Sequence, residues 1–305
     1  MNSFIKACEV WIPSKDGSML EFSAGLFGAA SGFAAVAQAM CFGRGEGLPG
    51  RAWDEGRPIM LKQLDGSYFR RAAAAEAAGI RSAVAMPIFL RDDLSAVLVF
   101  FCGATGSAAG ALELWHNDPR VSTDMKLVDG HFGDGSEALE ALSRDAYLPR
   151  GTGLAGIAWQ RGAAVLIDDL GQSNQFLRSD STAEAGIKRG LAIPCCTTGN
   201  HHHVLNFLSA SRTPIAQRIE SWAPAGEGAG LQRVFGFSEA SGALPTGDEG
   251  PTIALDAGAV ATAWDSGVPQ VVNGGADGDG DGSSLLAIPV IADGRVAEVV
   301  VLYFD

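Results

Sequence analysis

The sequence predicts an α+β fold written three times in tandem, each copy an antiparallel sheet with helices on one face. Three observations predict it. The six tryptophans fall into three pairs, Trp11 and Trp53, Trp115 and Trp159, Trp222 and Trp264, with internal spacings of 42, 44 and 42 residues. So regular a use of a rare residue marks a repeated unit. Around each second Trp the same landmarks recur: Ala52, Ala158 and Ala263 just before it, Gly47, Gly153 and Gly258 six residues upstream, and Gly56, Gly162 and Gly267 three downstream. Each copy then runs through an Ala-x-Pro step, at Ala85, Ala192 and Ala287, into an apolar stretch at residues 97–101, 204–208 and 299–304. A period near 100 residues lets each copy hold its own core, and the expected domains are residues 1–104, 105–213 and 214–305.

In the first copy, residues 7–13 are β-prone, residues 14–17 are turn chemistry and residues 19–24 form a second strand, an opening hairpin. Phe33, Val36, Ala37 and Met40 lie at i, i+3, i+4 and i+7, one apolar helix face. The glycines of residues 45–50 break the chain, and a short helix is expected at residues 51–55 with Gly56 as its left-handed cap. Residues 58–62 read as a short strand and residues 70–78 as a helix ended by Gly79. Residues 82–90 and 94–102 form a closing hairpin. The second copy repeats this order, with a helix at residues 136–146. The third departs from it. Its second Trp lies 25 residues before the Ala-x-Pro proline, against 34 and 35 in the others, and the missing segment carries the helix that would roof a pocket. That copy is expected to bind no small molecule and to serve as an interaction surface.

Composition suits a soluble chain: 47% hydrophobic, 19% charged, with no apolar run near the ~20 residues that span a bilayer. No secretory signal is evident at the start, and five cysteines without regular spacing suit a reducing compartment, so the cytoplasm is expected. A net charge of −13 argues against nucleic acid or membrane as a partner. The three copies carry 0, −3 and −10, which makes the third an acidic surface suited to a basic partner. Residues 96–101 are apolar on both faces of their strand. The sheet backs are therefore expected to cover themselves against a neighbouring domain, another copy of the chain or a protein partner.

The stretch Gly45-Glu-Gly-Leu-Pro-Gly50-Arg-Ala-Trp53-Asp-Glu-Gly-Arg-Pro58 resembles the central motif of GAF domains, as does Gly151-Thr-Gly-Leu-Ala-Gly156-Ile-Ala-Trp159-Gln-Arg-Gly162. So do the following Ala78-Gly-Ile80 and Ala185-Gly-Ile187 and the opening Glu9-Val-Trp-Ile-Pro13. The third copy is degenerate, with Ala259 and Ala261 where the first has Leu48 and Gly50. The resemblance implies a six-stranded antiparallel sheet with a small-molecule pocket between sheet and helices, or else a docking surface. It implies ligand-binding roles for Trp53, Met60 and Phe69 in the first copy and for Trp159, Ile167 and Phe176 in the second. As plain packing, the second tryptophans are core residues. The flanking helices usual for the family are expected to be missing, as is an output domain.

Other chemistry reads as structural. The glycine turn lacks a following Lys-Ser/Thr and comes after a helix, so it is a packing turn and not a phosphate cradle. Of His201, His202 and His203 at most the outer two share a strand face, a weak metal site on an expected hairpin tip. Asp277 to Gly282 opens like a calcium loop, but Ile288 stands where its last ligand must be. Free methionine sulfoxide reductases, which are GAF-like, use paired cysteines. Here Cys195 and Cys196 point to opposite faces, Cys41 stands apart, and only Cys8 and Cys102, on neighbouring strands, could approach each other. No Cys-His pair is present for a bilin. The expected function is a non-catalytic, small-molecule-responsive adaptor or regulatory module without cofactor or metal. The alternatives are a scaffold subunit of a larger assembly and, less favoured, a thiol redox enzyme or sensor.

Overall fold

The computed structural model describes residues 3–103, 110–133, 135–195, 197, 199, 201–226, 230–256, 258–274 and 283–304. The first repeat has strands β1 (Ile5–Pro13), β2 (Met19–Leu26), β3 (Cys41–Gly43), β4 (Ile59–Leu61), β5 (Ser82–Leu90) and β6 (Asp93–Cys102), with α1 (Ser31–Gln38), α2 (Gly47–Glu55) and α3 (Ala72–Ala77) between them. The second has β7 (Gly110–Asn117), β8 (Asp124–Phe132), β9 (Tyr147–Pro149), β10 (Val165–Ile167), β11 (Arg189–Cys195) and β12 (His202–Ser209), with α4 (Glu137–Asp145), α5 (Gly153–Arg161) and α6 (Ser179–Glu184). The third has β13 (Arg218–Pro224), β14 (Leu231–Ser238), β15 (Gly242–Ala243), β16 (Thr252–Ile253), β17 (Gln270–Val272), β18 (Ser284–Ala292) and β19 (Arg295–Phe304), with α7 (Gly258–Ser266). Every pairing is antiparallel. The sheet orders β3-β2-β1-β6-β5-β4, β9-β8-β7-β12-β11-β10 and β15-β14-β13-β19-β18-β17 are one topology three times, with β16 added beside β14.

Two local expectations need correction. The short strand β3, with its counterpart β9, was not anticipated, and α2 begins at Gly47 instead of residue 51. One contact explains both. A Cβ on Gly50 would sit 2.1 Å from the carbonyl oxygen of Gly43, and one on Gly156 2.4 Å from that of Pro149. The glycine-rich stretch is thus the first turn of a helix pressed onto an edge strand, where only a hydrogen fits. Gly56, Gly162 and Gly267 end α2, α5 and α7 at φ 60°, 60° and 65°, the left-handed cap the spacing predicted. In the third repeat, residues 239–256 hold β15, a 3₁₀ turn and β16 where the others have a helix. The segment that would roof its pocket, including Asp277 to Gly282, lies outside the described residues, as does Cys196.

Alternation along the central strands divides the core. On β6, Val97, Val99 and Phe101 face the helices, while Leu98, Phe100 and Cys102 face the other way. The same division holds for Val204 and Leu208 against Leu205 and Phe207 on β12, and for Val299 and Val301 against Val300 and Leu302 on β19. The outward sets of all three sheets meet in one shared core, where the rings of Phe100 and Phe207 cross edge to face at 5.0 Å. Of the covers expected for the sheet backs, a neighbouring domain, another copy or a partner, the first is found: the three faces cover one another within the chain. The strands are long and apolar on both sides, and three of them satisfy the need at once.

The repeats follow each other in a cyclic order. The β4 side of the first meets the β8 side of the second, with Lys62 Nζ 2.8 Å from Asp129 Oδ1. In the same sense the cap residue Gly162 abuts Ala292 of the third repeat, and Gly267 abuts Leu90 of the first. The second joint has a hydrogen bond of its own. The Ala164 N–H donates to Glu298 Oε1, and Ser221 Oγ donates to Glu298 Oε2 at 2.6 Å. By register, Pro58 and Pro269 stand where Ala164 does, and His203 and Ala96 where Glu298 does. Proline has no N–H to offer, so only this joint calls for an acceptor.

Among the described residues Glu298 has no cation beside it, and burial pushes its carboxyl above the ordinary value, with the Ser221 and Ala164 hydrogen bonds pulling the other way. A raised folded-state pKa means its contribution is complete below the unfolded value of 4.5 and is lost as pH rises through the raised value. Glu298→Gln keeps both hydrogen bonds without the charge. Urea unfolding at pH 5 and pH 8 should therefore show a smaller loss of stability toward pH 8 in the variant than in the parent; equal losses would show that Glu298 is charged at no cost.

Candidate functional site

At the centre of each sheet, on the helix side, lies a buried glutamate two residues before the first Trp: Glu9, Glu113 and Glu220. Strand alternation puts both residues on one face, and each indole Nε1 donates to its carboxylate, at 3.0, 2.9 and 3.2 Å. An arginine completes each group. Arg71 holds Glu9 with both Nη atoms, at 2.5 and 2.9 Å, and its guanidinium lies over the rings of Phe33, Phe69 and Phe101 at 4.5, 5.3 and 5.5 Å. Arg178 holds Glu113 in the same bidentate way and lies over Phe176 and Trp115 at 4.8 and 5.2 Å. Ser143 Oγ and Asn206 Nδ2 also donate to Glu113, at 2.8 and 3.2 Å. In the third repeat the arginine comes from the sheet itself: Arg233 on β14 donates to Glu220 at 3.0 Å, joined by the Tyr303 hydroxyl at 3.0 Å.

All three are hydrogen-bonded ion pairs, bidentate in the first two repeats and through a single Nη1 contact in the third, the arrangement a buried charge requires. Burial would raise the Glu113 carboxyl, but Arg178 and the surrounding donors hold it below the ordinary value. The Tyr303 hydroxyl is pushed up to about 12 by burial and by Glu220. The sheet–helix space, where a pocket was expected, is filled in the first two repeats by these pairs and their aromatic covers.

Of the six residues expected to bind a ligand, Phe69 and Phe176 lie in those covers, and Ile167 is packed in the helix-side core of the second repeat. Met60 needs correction. It alternates with Ile59 and Leu61, which face the helices, and its own side chain lies in the shared central core. Trp53 and Trp159 are partly exposed on α2 and α5, under Arg44 and Arg150 at 5.7 and 5.6 Å. The first Trp of each pair, Trp11, Trp115 and Trp222, is buried, whereas the second, read as core, is only partly so at Trp53, Trp159 and Trp264. The groups the sequence reading missed, Glu9, Arg71, Glu113, Arg178, Glu220 and Arg233, had a signal. Glu-x-Trp occurs at the start of every repeat, and Phe-x-Arg ends at Arg71 and Arg178.

Several open clefts are lined by the described residues, and two of them bear on function. One, of 480 Å³, lies between α1 and α3, walled by Phe27, Phe33 and alanines, with Lys6 as the cation in its lining. Burial lowers the Lys6 ammonium, countered by Cys102. The other is the junction of the three repeats, described below.

The histidines are closer than expected. His116 on β7 stacks on His201 at 5.3 Å and packs on His203 at 4.4 Å, so the outer pair does share a face and gains a third ring. No group of three His, Cys, Asp or Glu among the described residues is placed to hold a metal ion. Cys8 and Cys102 are buried and free; burial pushes the Cys8 thiol up to about 12 and raises Cys102 as well. No helix among the described residues is long and apolar enough to cross a membrane.

Fold and site define a class of α+β modules built on a curved antiparallel sheet with short helices over one face. Residues 5–114 match the GAF domain family, and the strand order of that stretch recurs twice more along the chain in GAF-like repeats. Parts of the chain are similar to solved structures at low identity. They include the GAF domain of nlh2 from A. aeolicus in an inactive state, 16% identical over 33% of this chain and 60% of that one, with a TM-score of 0.27. Free methionine-R-sulfoxide reductase from Neisseria meningitidis with its substrate is 17% identical over 34% and 53%, with a TM-score of 0.26. A GAF domain of a phosphoenolpyruvate-protein phosphotransferase from Coxiella burnetii is 20% identical over 33% and 56%, with a TM-score of 0.27. The chain thus spans less than two thirds of each of these structures. Among curated proteins none matches the chain.

Proposed function

We propose that this chain is a non-catalytic regulatory module that responds to a small molecule held in its first repeat. The observation that carries the reading is the 480 Å³ cleft between α1 and α3, with apolar walls and the half-buried ammonium of Lys6. An ammonium partly stripped of water favours a counter-charge, so the fitting ligand has an apolar body and a carboxylate. The absence of catalysis is supported by the state of the buried ionisable groups: Glu9, Glu113 and Glu220 are committed to arginines, and the Cys8 and Cys102 thiols are held protonated. The free cysteines among the described residues suit the cytoplasm, where thiols stay reduced.

Thermal unfolding with octanoate tests the reading. Free ligand at a hundred times Kd should stabilise the chain by about 2.7 kcal/mol, and Lys6→Met should remove the shift while leaving the unliganded Tm in place. No shift, or an equal shift in the variant, rejects it.

A second reading, a scaffold subunit, is favoured by the filled interior of the second repeat and by the charge of −10 on residues 214–305, which suits a basic protein partner. Native mass spectrometry separates the two: retained small-molecule mass supports the first, and a protein partner without it supports the second.

A further inference from the structure

The three repeats leave a cavity of 500 Å³ where the β11–β12 end of the second meets the hairpin tips of the first and third. Its cations come from two repeats: Arg91 from the first, Arg150 and Arg161 from the second. All three are exposed, and none forms an ion pair among the described residues. Asp92 and Asp293 also line it, so guanidinium groups outnumber carboxylates there in a chain whose net charge is −13.

One wall is flat. The Trp159 ring lies 5.6 Å below the Arg150 guanidinium and 5.4 Å from the His202 ring, tilted by 40°. Two lining residues carry a buried nitrogen without a hydrogen-bond partner among the described residues: Trp159 Nε1 and Nδ1 of His203, whose residue is 4% exposed. Buried polar nitrogens are nearly always paired, and an unpaired one is costly. Burial and the nearby His116 and Arg57 lower the His203 ring to about 3, so it stands here as a neutral hydrogen-bonding group and adds no charge.

The geometry points to a binding site at this three-repeat junction for a small anion that bears a flat ring, an aromatic carboxylate. Guanidinium groups bind a carboxylate in paired hydrogen bonds, and the indole and imidazole offer their faces to the ring. The site is made only when the repeats are assembled, since its walls belong to all three. It is separate from the cleft at Lys6 and does not rest on the function proposed for that cleft.

Calorimetric titration of the full chain with benzoate, cyclohexanecarboxylate and inorganic phosphate tests it. Benzoate should bind saturably, cyclohexanecarboxylate at least about tenfold more weakly, a difference of about 1.4 kcal/mol. Arg150→Gln and Arg161→Gln, both at exposed positions and checked for folding by circular dichroism, should each weaken benzoate by a similar factor, while Arg144→Gln, at an exposed position on α4 away from both clefts, leaves it unchanged. No saturable heat with benzoate overturns the proposal. Equal binding of cyclohexanecarboxylate overturns the flat-ring preference, and tighter binding of phosphate overturns the carboxylate. Loss of benzoate binding in Lys6→Met alone assigns it to the first repeat and overturns the junction site.

Discussion

Replacing Arg178 with methionine should cost about 3–5 kcal/mol, because it leaves the fully buried Glu113 carboxylate without its counter-charge. Trp115, Ser143 and Asn206 would still donate to it, but three neutral donors do not replace a bidentate guanidinium. The double variant Glu113→Gln with Arg178→Met should recover most of the loss, since a neutral amide can use the same donors. The acid limb of the stability curve carries a second signature. Glu113 has a lowered folded-state pKa, so its contribution is present above the unfolded value of 4.5 and is lost as pH falls through the lowered one. In Arg178→Met that acid-side loss should largely vanish. Urea unfolding from pH 3 to pH 7 measures both effects. A single-variant cost below about 1 kcal/mol would show that water or a proton reaches Glu113 instead.

Phe207→Ala should cost about 3–5 kcal/mol and should lower the stability of all three repeats together. The ring is fully buried in the shared core, against Phe100 of the first repeat and among side chains of the third. A core held in common makes the repeats one cooperative unit, so the parent should unfold in one transition by fluorescence and by circular dichroism. Three separate steps, with only one displaced by the substitution, would show that each repeat stands by its own helix-side core.

The antiparallel sheet, its hairpins and the glycine caps were legible because each rests on a local rule repeated three times: tryptophan spacing, an apolar run on both strand faces, a glycine three residues past a helical Trp. Even the demand that the sheet backs be covered could be read from residues 96–101. What covers them could not, because cyclic packing of the repeats is written in shape, in contacts such as Gly162 against Ala292. The candidate site was harder. Met60 was placed in the pocket by family analogy, but strand alternation turns it to the central core, a rule the flanking Ile59 and Leu61 could have supplied. Glu9 and Arg71, 62 residues apart, meet only in the fold. Their motifs, Glu-x-Trp and Phe-x-Arg, were visible, but a charged residue in a strand or before a helix reads by default as solvent-facing.

The cyclic order of the repeats bears on assembly. Each contact joins unlike surfaces, the β4 side of one repeat to the second-strand side of the next, and head-to-tail contacts of that kind generate filaments unless the rotation between units brings the last back to the first. Here it does so after three units, within a single polypeptide. The β17 side of the third repeat already lies against β2 of the first, so among the described residues both halves of this joint are matched within the chain. The design that hides the sheet faces also ends propagation.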